Sequence, residues 1–342
     1  MSKKEKQKCC YIPERRGKVG GQAVLEGVMM KSGDRVALTV RKDDGTKETK
    51  ISQFVSVRKK HKILDLPIIR GVVNFIEMMK LSLSTLNDSA DMLGIDEEMQ
   101  ETKFEKWLKK NFGKSVMDFI MVIAMVLGIA LALFLFMFLP TFLTGLIEKL
   151  TGDLGLWKSV IEGGFKVVIF VGYMLLVSLM KDIRRTFEFH GAEHKSIFCY
   201  EAGEELTVEN VRKHSRFHPR CGTSFMFVMI IISIVVGLFI PWGNKLLRVA
   251  IKILLIPVIM GIGYEFLMYA GKHDNFIIRA LSAPGLWMQR ITTREPDEEQ
   301  IECAVMSLKA ALPDEFPAEE AEDDAPASDT SEESPENGGT AE

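Results

Sequence analysis

Histidine and cysteine are scarce in this chain, so their placement is informative. There are six histidines and five cysteines. Four of the histidines and two of the cysteines fall within positions 190–221, with Glu193 among them. Other absences narrow the function. Residues 1–8 are lysine-rich, but no apolar signal-peptide core follows them, so export of the whole chain is not expected. No motif of interleaved basic and aromatic residues marks a nucleic-acid surface, and no nucleic-acid partner is expected. The glycines of residues 20–30 could bring backbone N–H groups to an anion, yet the stretch lacks the lysine and spacing of a phosphate loop. A tight turn packed against the body is the preferred reading there. No internal repeat and no pair of Gly/Pro-broken apolar segments is evident, which weighs against a transporter.

Long uncharged runs, by contrast, are plentiful. Residues 119–147 and 222–244 carry no charge, and each exceeds the roughly 20 residues that cross a bilayer. Two weaker spans are 159–180, with Lys166, and 246–270, with Arg248, Lys252 and Glu265. Basic residues near span ends can snorkel to the interface. The pattern predicts a mainly α membrane protein with about four transmembrane helices over 115–271, and a cytoplasmic α+β portion.

Lysine and arginine set the orientation. Lys103, Lys106, Lys109, Lys110 and Lys114 precede the first span, and eight basic residues lie in 181–221. The other loops hold only Lys149 and Lys158, then Lys245 and Arg248. The positive-inside rule then puts both termini and the central segment on the cytoplasmic side of the membrane. Disulfides are not expected in that reducing compartment, which leaves packing, ligation or redox roles for the cysteines. Net charge is −3, but 314–342 holds 12 acidic residues and no basic one. Without those 12 negative charges, −3 becomes +9 for the rest, which suits contact with anionic lipid head groups.

Flanking elements follow from local pattern. Residues 1–17 are expected to be disordered. A small β unit occupies 18–62, with strands at 36–40 and 51–57 about an Asp43-Asp44-Gly45 turn. Pro67 opens a helix whose apolar positions Ile68, Val72, Phe75, Met79 and Leu83 share a face interrupted by Arg70, Glu77 and Lys80. It lies on the membrane or against the bundle, within an amphipathic region 63–114 whose charged lead-in at 97–114 precedes the first span. The segment 272–294 is mixed and basic. Pro296 begins a last helix with Ile301, Val305, Leu308 and Leu312 on one face, and the acidic tail from 313 cannot bury enough surface to order.

His190 and His194, spaced i and i+4, project from one helical face, and Glu193 lies almost on it. The order H-x-x-E-H is that of zinc peptidases in which two histidines bind metal and the glutamate acts as base. His218 and Cys221 add two zinc-type ligands, and His214 sits four before His218. Four protein ligands would make a structural zinc site. Three would leave a position for water, with Glu193 to take its proton. Ordinary hydrogen bonding without metal is the third reading. Glu188, Glu201 and Glu205 read as solvated charges, with Glu201 a possible late ligand, and Cys199 reads as packing. Cys9, Cys10 and Cys303 have no partner pattern. Glu265 is an intramembrane carboxylate, of the kind that is usually functional. It could approach the histidines, with His273 and Asp274 weaker candidates beyond it. Thr207 should cap a helix running to Arg216 and ended by Pro219.

These stretches resemble one family. Residues 20–30, 189–195, 206–213, 218–225, 263–265 and 284–296 together look like bacterial YqhQ-like membrane proteins, over about residues 18 to 312. The resemblance implies a membrane protein of unknown function described as a predicted metal-dependent enzyme, with the His and Cys positions as its metal site. The combined expectation is a membrane-embedded hydrolase with a divalent metal, zinc foremost. His190, His194, His218 and Cys221 would be ligands, Glu193 the base, and a peptide or lipid head group the substrate among membrane lipids. The alternatives are a scaffold pinned by structural zinc, and a transporter using Glu265.

Overall fold

The computed structural model describes residues 12–94, 114–155, 157–272 and 276–317. It is mostly helical, with one small sheet. Strands β1 (Val19–Val24), β2 (Gly27–Ser32), β3 (Arg35–Arg41) and β4 (Lys47–Gln53) form an antiparallel meander in that order. Ten helices follow among the described residues: α1 (Ile69–Met92), α2 (Lys114–Leu133), α3 (Leu139–Thr151), α4 (Trp157–Val177), α5 (Lys181–Ala202), α6 (Val208–Lys213), α7 (Gly222–Leu238), α8 (Lys245–Lys272), α9 (Phe276–Thr292) and α10 (Glu298–Ala311). A π turn at Phe134–Phe138 joins α2 to α3 directly before Pro140. A wider turn there suits the missing N–H of proline.

The glycine-rich stretch 20–30, read as a tight turn packed against the body, belongs to a β-hairpin. Its strands were hard to read because Val28, Met29 and Met30 are buried in succession. Both faces of the sheet are covered, so apolar residues need not alternate. On one face Val28, Met30 and Ala37 pack with α5 and α10 residues such as Phe189, Ile301 and Leu308. On the other, Met29, Leu38 and Val40 pack with Leu81 of α1. The strand expected at 51–57 starts earlier, because Gly45, at φ 84°, closes the turn and pairs Arg41 with Lys47.

By length and composition, three helices among the described residues can cross a membrane: Ile123–Thr151, Trp157–Val177 and Lys245–Ala270. Their outer surfaces carry exposed Leu127, Leu176 and Leu254, which only an apolar surrounding favours. The fourth expected span, 222–244, is helical only through Leu238. Its 17 residues reach ~26 Å, short of the ~30 Å hydrocarbon core.

Inside these helices the basic residues turn inward instead of snorkelling. Glu162 of α4, which the charge reading of span 159–180 passed over, is buried. Arg248 Nη2 of α8 lies 3.1 Å from its Oε2, Lys252 pairs with its Oε1, and Lys166 Nζ is 4.0 Å away. Thr141 donates to the same carboxylate at 2.9 Å. Arg248 also donates to Gly237 O at 2.9 Å, satisfying a carbonyl at the end of α7.

Other boundaries differ from expectation. The segment 272–294 contains α9, with Pro284 in its interior. The helix capped by Thr207 ends at Lys213, because His214 is already extended at ψ 160°. The last helix begins after Asp297, whose capping box with Gln300 satisfies its first N–H groups. Neither end is wholly loose. Ile12 N–H donates to Glu201 O at 2.8 Å, and Tyr200 Oη donates to Glu315 at 2.7 Å. The lead-in at 97–113 lies outside the described residues, as do Cys9, Cys10, His273, Asp274 and the tail from 318.

Candidate metal centre

Helix α5 carries the first ligand pair. Gly203, left-handed at φ 73°, ends it, and its N–H returns to Cys199 and Tyr200 carbonyls. Gly191 lets the helix back approach the chain leaving α9: a Cβ there would stand 2.0 Å from Arg294 O. Arg294 N–H in turn donates to Phe187 O at 2.8 Å. That close approach brings Thr292 O to His190, whose Nδ1–H donates to it at 2.9 Å. His194 Nδ1–H donates to Arg216 O at 2.6 Å. Each imidazole is thus held in the tautomer that keeps Nε2 as a lone-pair donor.

The second half of the site comes from the turn before α7. Cys221 is the N-cap residue of α7. Its Sγ lies 3.2 Å from His190 Nε2 and receives the Thr223 hydroxyl at 3.3 Å. The donor atoms of His190, His194 and Cys221 all lie within 4.8 Å of one another. Two ligands on tetrahedral zinc, at ~2.0 and ~2.3 Å, stand about 3.5 Å apart. The nitrogen, nitrogen and sulfur set therefore fits a zinc ion, and the carbonyl partners supply its outer support.

His218 is close but differently placed. Its ring centroid is 5.4 Å from that of His194. Gln289 of α9 clamps its backbone, accepting from the N–H at 2.7 Å and donating to the carbonyl at 2.8 Å. His218 Nδ1 accepts Arg220 N–H at 3.3 Å, which leaves the ring proton on Nε2. That atom is buried without a hydrogen-bond partner. Burial, helped by His194, holds the His218 pKa well below the usual imidazole range, so the ring stays neutral.

Glu193 is buried, with Oε2 4.0 Å from His190 Nε2. Burial pushes its pKa up to about 7, partly opposed by His190. Gly21 of β1 stands directly against it, since a Cβ there would lie 2.8 Å from Glu193 Cγ. A cavity of about 610 Å³ opens beside His190, Glu193, His194, His218 and Cys221.

The remaining candidates lie elsewhere. His214 Nε2 sits 3.2 Å from Glu204, beside Cys199, in a separate group. Burial pushes the Cys199 thiol up to about 12, and Cys303 likewise. Glu265 is bound by Arg70 of α1, with Nε 2.7 Å from Oε1, and joins α1 to α8. Glu201 is buried and paired with Arg220, so it is not a solvated charge. Glu188 accepts from Gln300 at 3.2 Å. Sequence reasoning missed Gly21, Gln289 and the orienting carbonyls of Thr292 and Arg216. Carbonyl roles leave no trace in residue identity, and Gln289 lies on a helix that was not foreseen.

Residues 66–314 match a family described as a protein of unknown function, DUF1385, and the chain belongs to it. Within that class, it is 36% identical over 299 residues to the uncharacterized protein YqhQ of Bacillus subtilis strain 168. The match covers 86% of this chain and 92% of that protein. No solved structure matches.

Proposed function

We propose that this chain is a metal-dependent hydrolase working at the cytoplasmic face of the bacterial plasma membrane. One observation carries the reading: His190, His194 and Cys221 converge within 4.8 Å, and Glu193 between the two histidines faces the same cavity. Zinc held there would supply Lewis acidity and lower the pKa of a bound water to about 7. Glu193 would take a proton from water and return it to the leaving group, a dual role suited to a carboxyl pushed up to about 7. The unpaired Nε2–H of His218 would donate to the oxygen that gains charge as the carbonyl is attacked. Three ligands leave room for water and substrate. In the alternative reading, a scaffold with structural zinc, His218 would be the fourth ligand. Its Nδ1 already accepts Arg220 N–H, which leaves Nε2 protonated and speaks against ligation.

The ligand set has a spectroscopic test. Purified protein loaded with cobalt(II) in place of zinc should show a thiolate-to-cobalt absorption band. Cys221→Ser should remove it while cobalt stays bound through the histidines. A band that survives in Cys221→Ser would rule out Cys221 as a ligand.

A further inference from the structure

The cavity meets β1 along a whole run of residues. Val19, Gly20, Gly21, Gln22 and Ala23 all line it. Side chains alternate along a strand, so a cavity against one face would touch every second residue. Contact with five in succession means that the cavity runs along the strand's edge. β1 is an edge strand whose sheet partner is β2. Among the described residues, no backbone hydrogen bond leaves Val19–Val24 toward any other partner. The hairpin closes in a two-residue turn between Val24 and Gly27. Counting back from that bonded pair, the N–H and C=O groups of Ala23, Gly21 and Val19 point away from β2. A row of unused main-chain donors and acceptors therefore passes directly beside Glu193.

Much of the remaining lining is apolar and adaptable. Met78 of α1, Phe170 and Met174 of α4, Met226 of α7 and Met288 of α9 line it. Methionine side chains reshape to fit varied apolar groups. Both α4 and α7 belong to the apolar helices, so the cavity lies between the sheet edge and the apolar helices.

The geometry points to an extended apolar polypeptide segment as the substrate, bound as an added strand on β1. This rests on the hydrolase reading above and chooses peptide over lipid. Main-chain hydrogen bonds to a sheet edge supply affinity, and alternate side chains entering pockets supply selectivity. A lipid head group has no row of amides to match β1. In the reaction, the water oxygen bonds to the peptide carbonyl carbon and the C–N bond breaks. Glu193 receives the water proton and delivers it to the departing amine.

The test uses full-length protein, zinc-loaded, in phosphatidylglycerol/phosphatidylethanolamine nanodiscs. The probes are fluorescent decapeptides rich in Ala, Val and Leu, with partners N-methylated on one or the other alternate set of backbone nitrogens. Binding is read by anisotropy and cleavage by mass. Methylation of one set should weaken binding about tenfold or more, and methylation of the other should change it little. Ala23→Pro should weaken binding of the unmethylated peptide similarly, because it removes an N–H that β2 does not use. The methylated pairs need no variant and stand if Ala23→Pro fails to fold. Equal binding of both methylated sets would overturn the inference, as would no peptide binding at all, or lipid turnover in its place. Patterned binding without cleavage would sustain strand addition and defeat the hydrolase reading.

Discussion

Glu193→Gln should abolish turnover while the metal stays bound. General acid–base catalysis contributes typically ~10²–10⁴-fold, and loss of that order in kcat, with metal content unchanged, is the expected result. A scaffold with structural zinc would retain both metal and cellular function, so deletion-strain complementation separates the two readings. The same variant has a stability signature in chelator-treated protein. Burial raises the carboxyl from 4.5 to about 7 in the fold. The folded state therefore holds this proton more tightly than the unfolded chain does. Its favourable contribution is complete below pH 4.5 and is lost as pH rises through about 7. Glutamine does not titrate. Melting temperatures of the two proteins should thus diverge between pH 5 and 8, by the equivalent of about 3 kcal/mol, with the variant more stable at the alkaline end. Parallel melting curves across that range would contradict a buried, proton-holding Glu193.

Glu162→Ala should cost the most in stability. The substitution leaves Arg248 and Lys252 buried with no carboxylate, and removes one carboxylate partner each from Thr141 and Lys166. Breaking a buried ion pair by deleting one partner typically costs about 3–5 kcal/mol, because the remaining charge is uncompensated. Thermal unfolding in nanodiscs measures it. Glu162→Ala with Lys252→Met should recover part of the loss, since it also removes one of the stranded cations. A single variant within about 0.5 kcal/mol of wild type would mean that the cluster does not hold the helices together.

These two residues mark what sequence did and did not reveal. His190, Glu193 and His194 were legible because i, i+3 and i+4 spacing on a helix fixes their common face. Cys221 was legible as a ligand type, but only the path of the chain after α6 could bring its sulfur to His190. His218 reads as a ligand from its neighbours in sequence. In space, Gln289 holds its backbone and its Nδ1 accepts the Arg220 N–H. Glu162 looked like part of a weak span until it was seen opposite Arg248 and Lys252, which lie 86 and 90 positions away. The β1 edge was hidden because a sheet covered on both faces loses its alternation. Helix–helix ion pairs and strand edges are properties of tertiary arrangement, and no local pattern encodes them.

The central claim is that His190, His194 and Cys221 form a metal centre, and elemental analysis tests it most directly. Wild-type protein, purified gently without chelator, should carry close to one zinc or similar divalent ion per chain, and His190→Ala/His194→Ala should carry almost none. Less than about 0.2 metal per chain in the wild type, or equal content in the double variant, would contradict it.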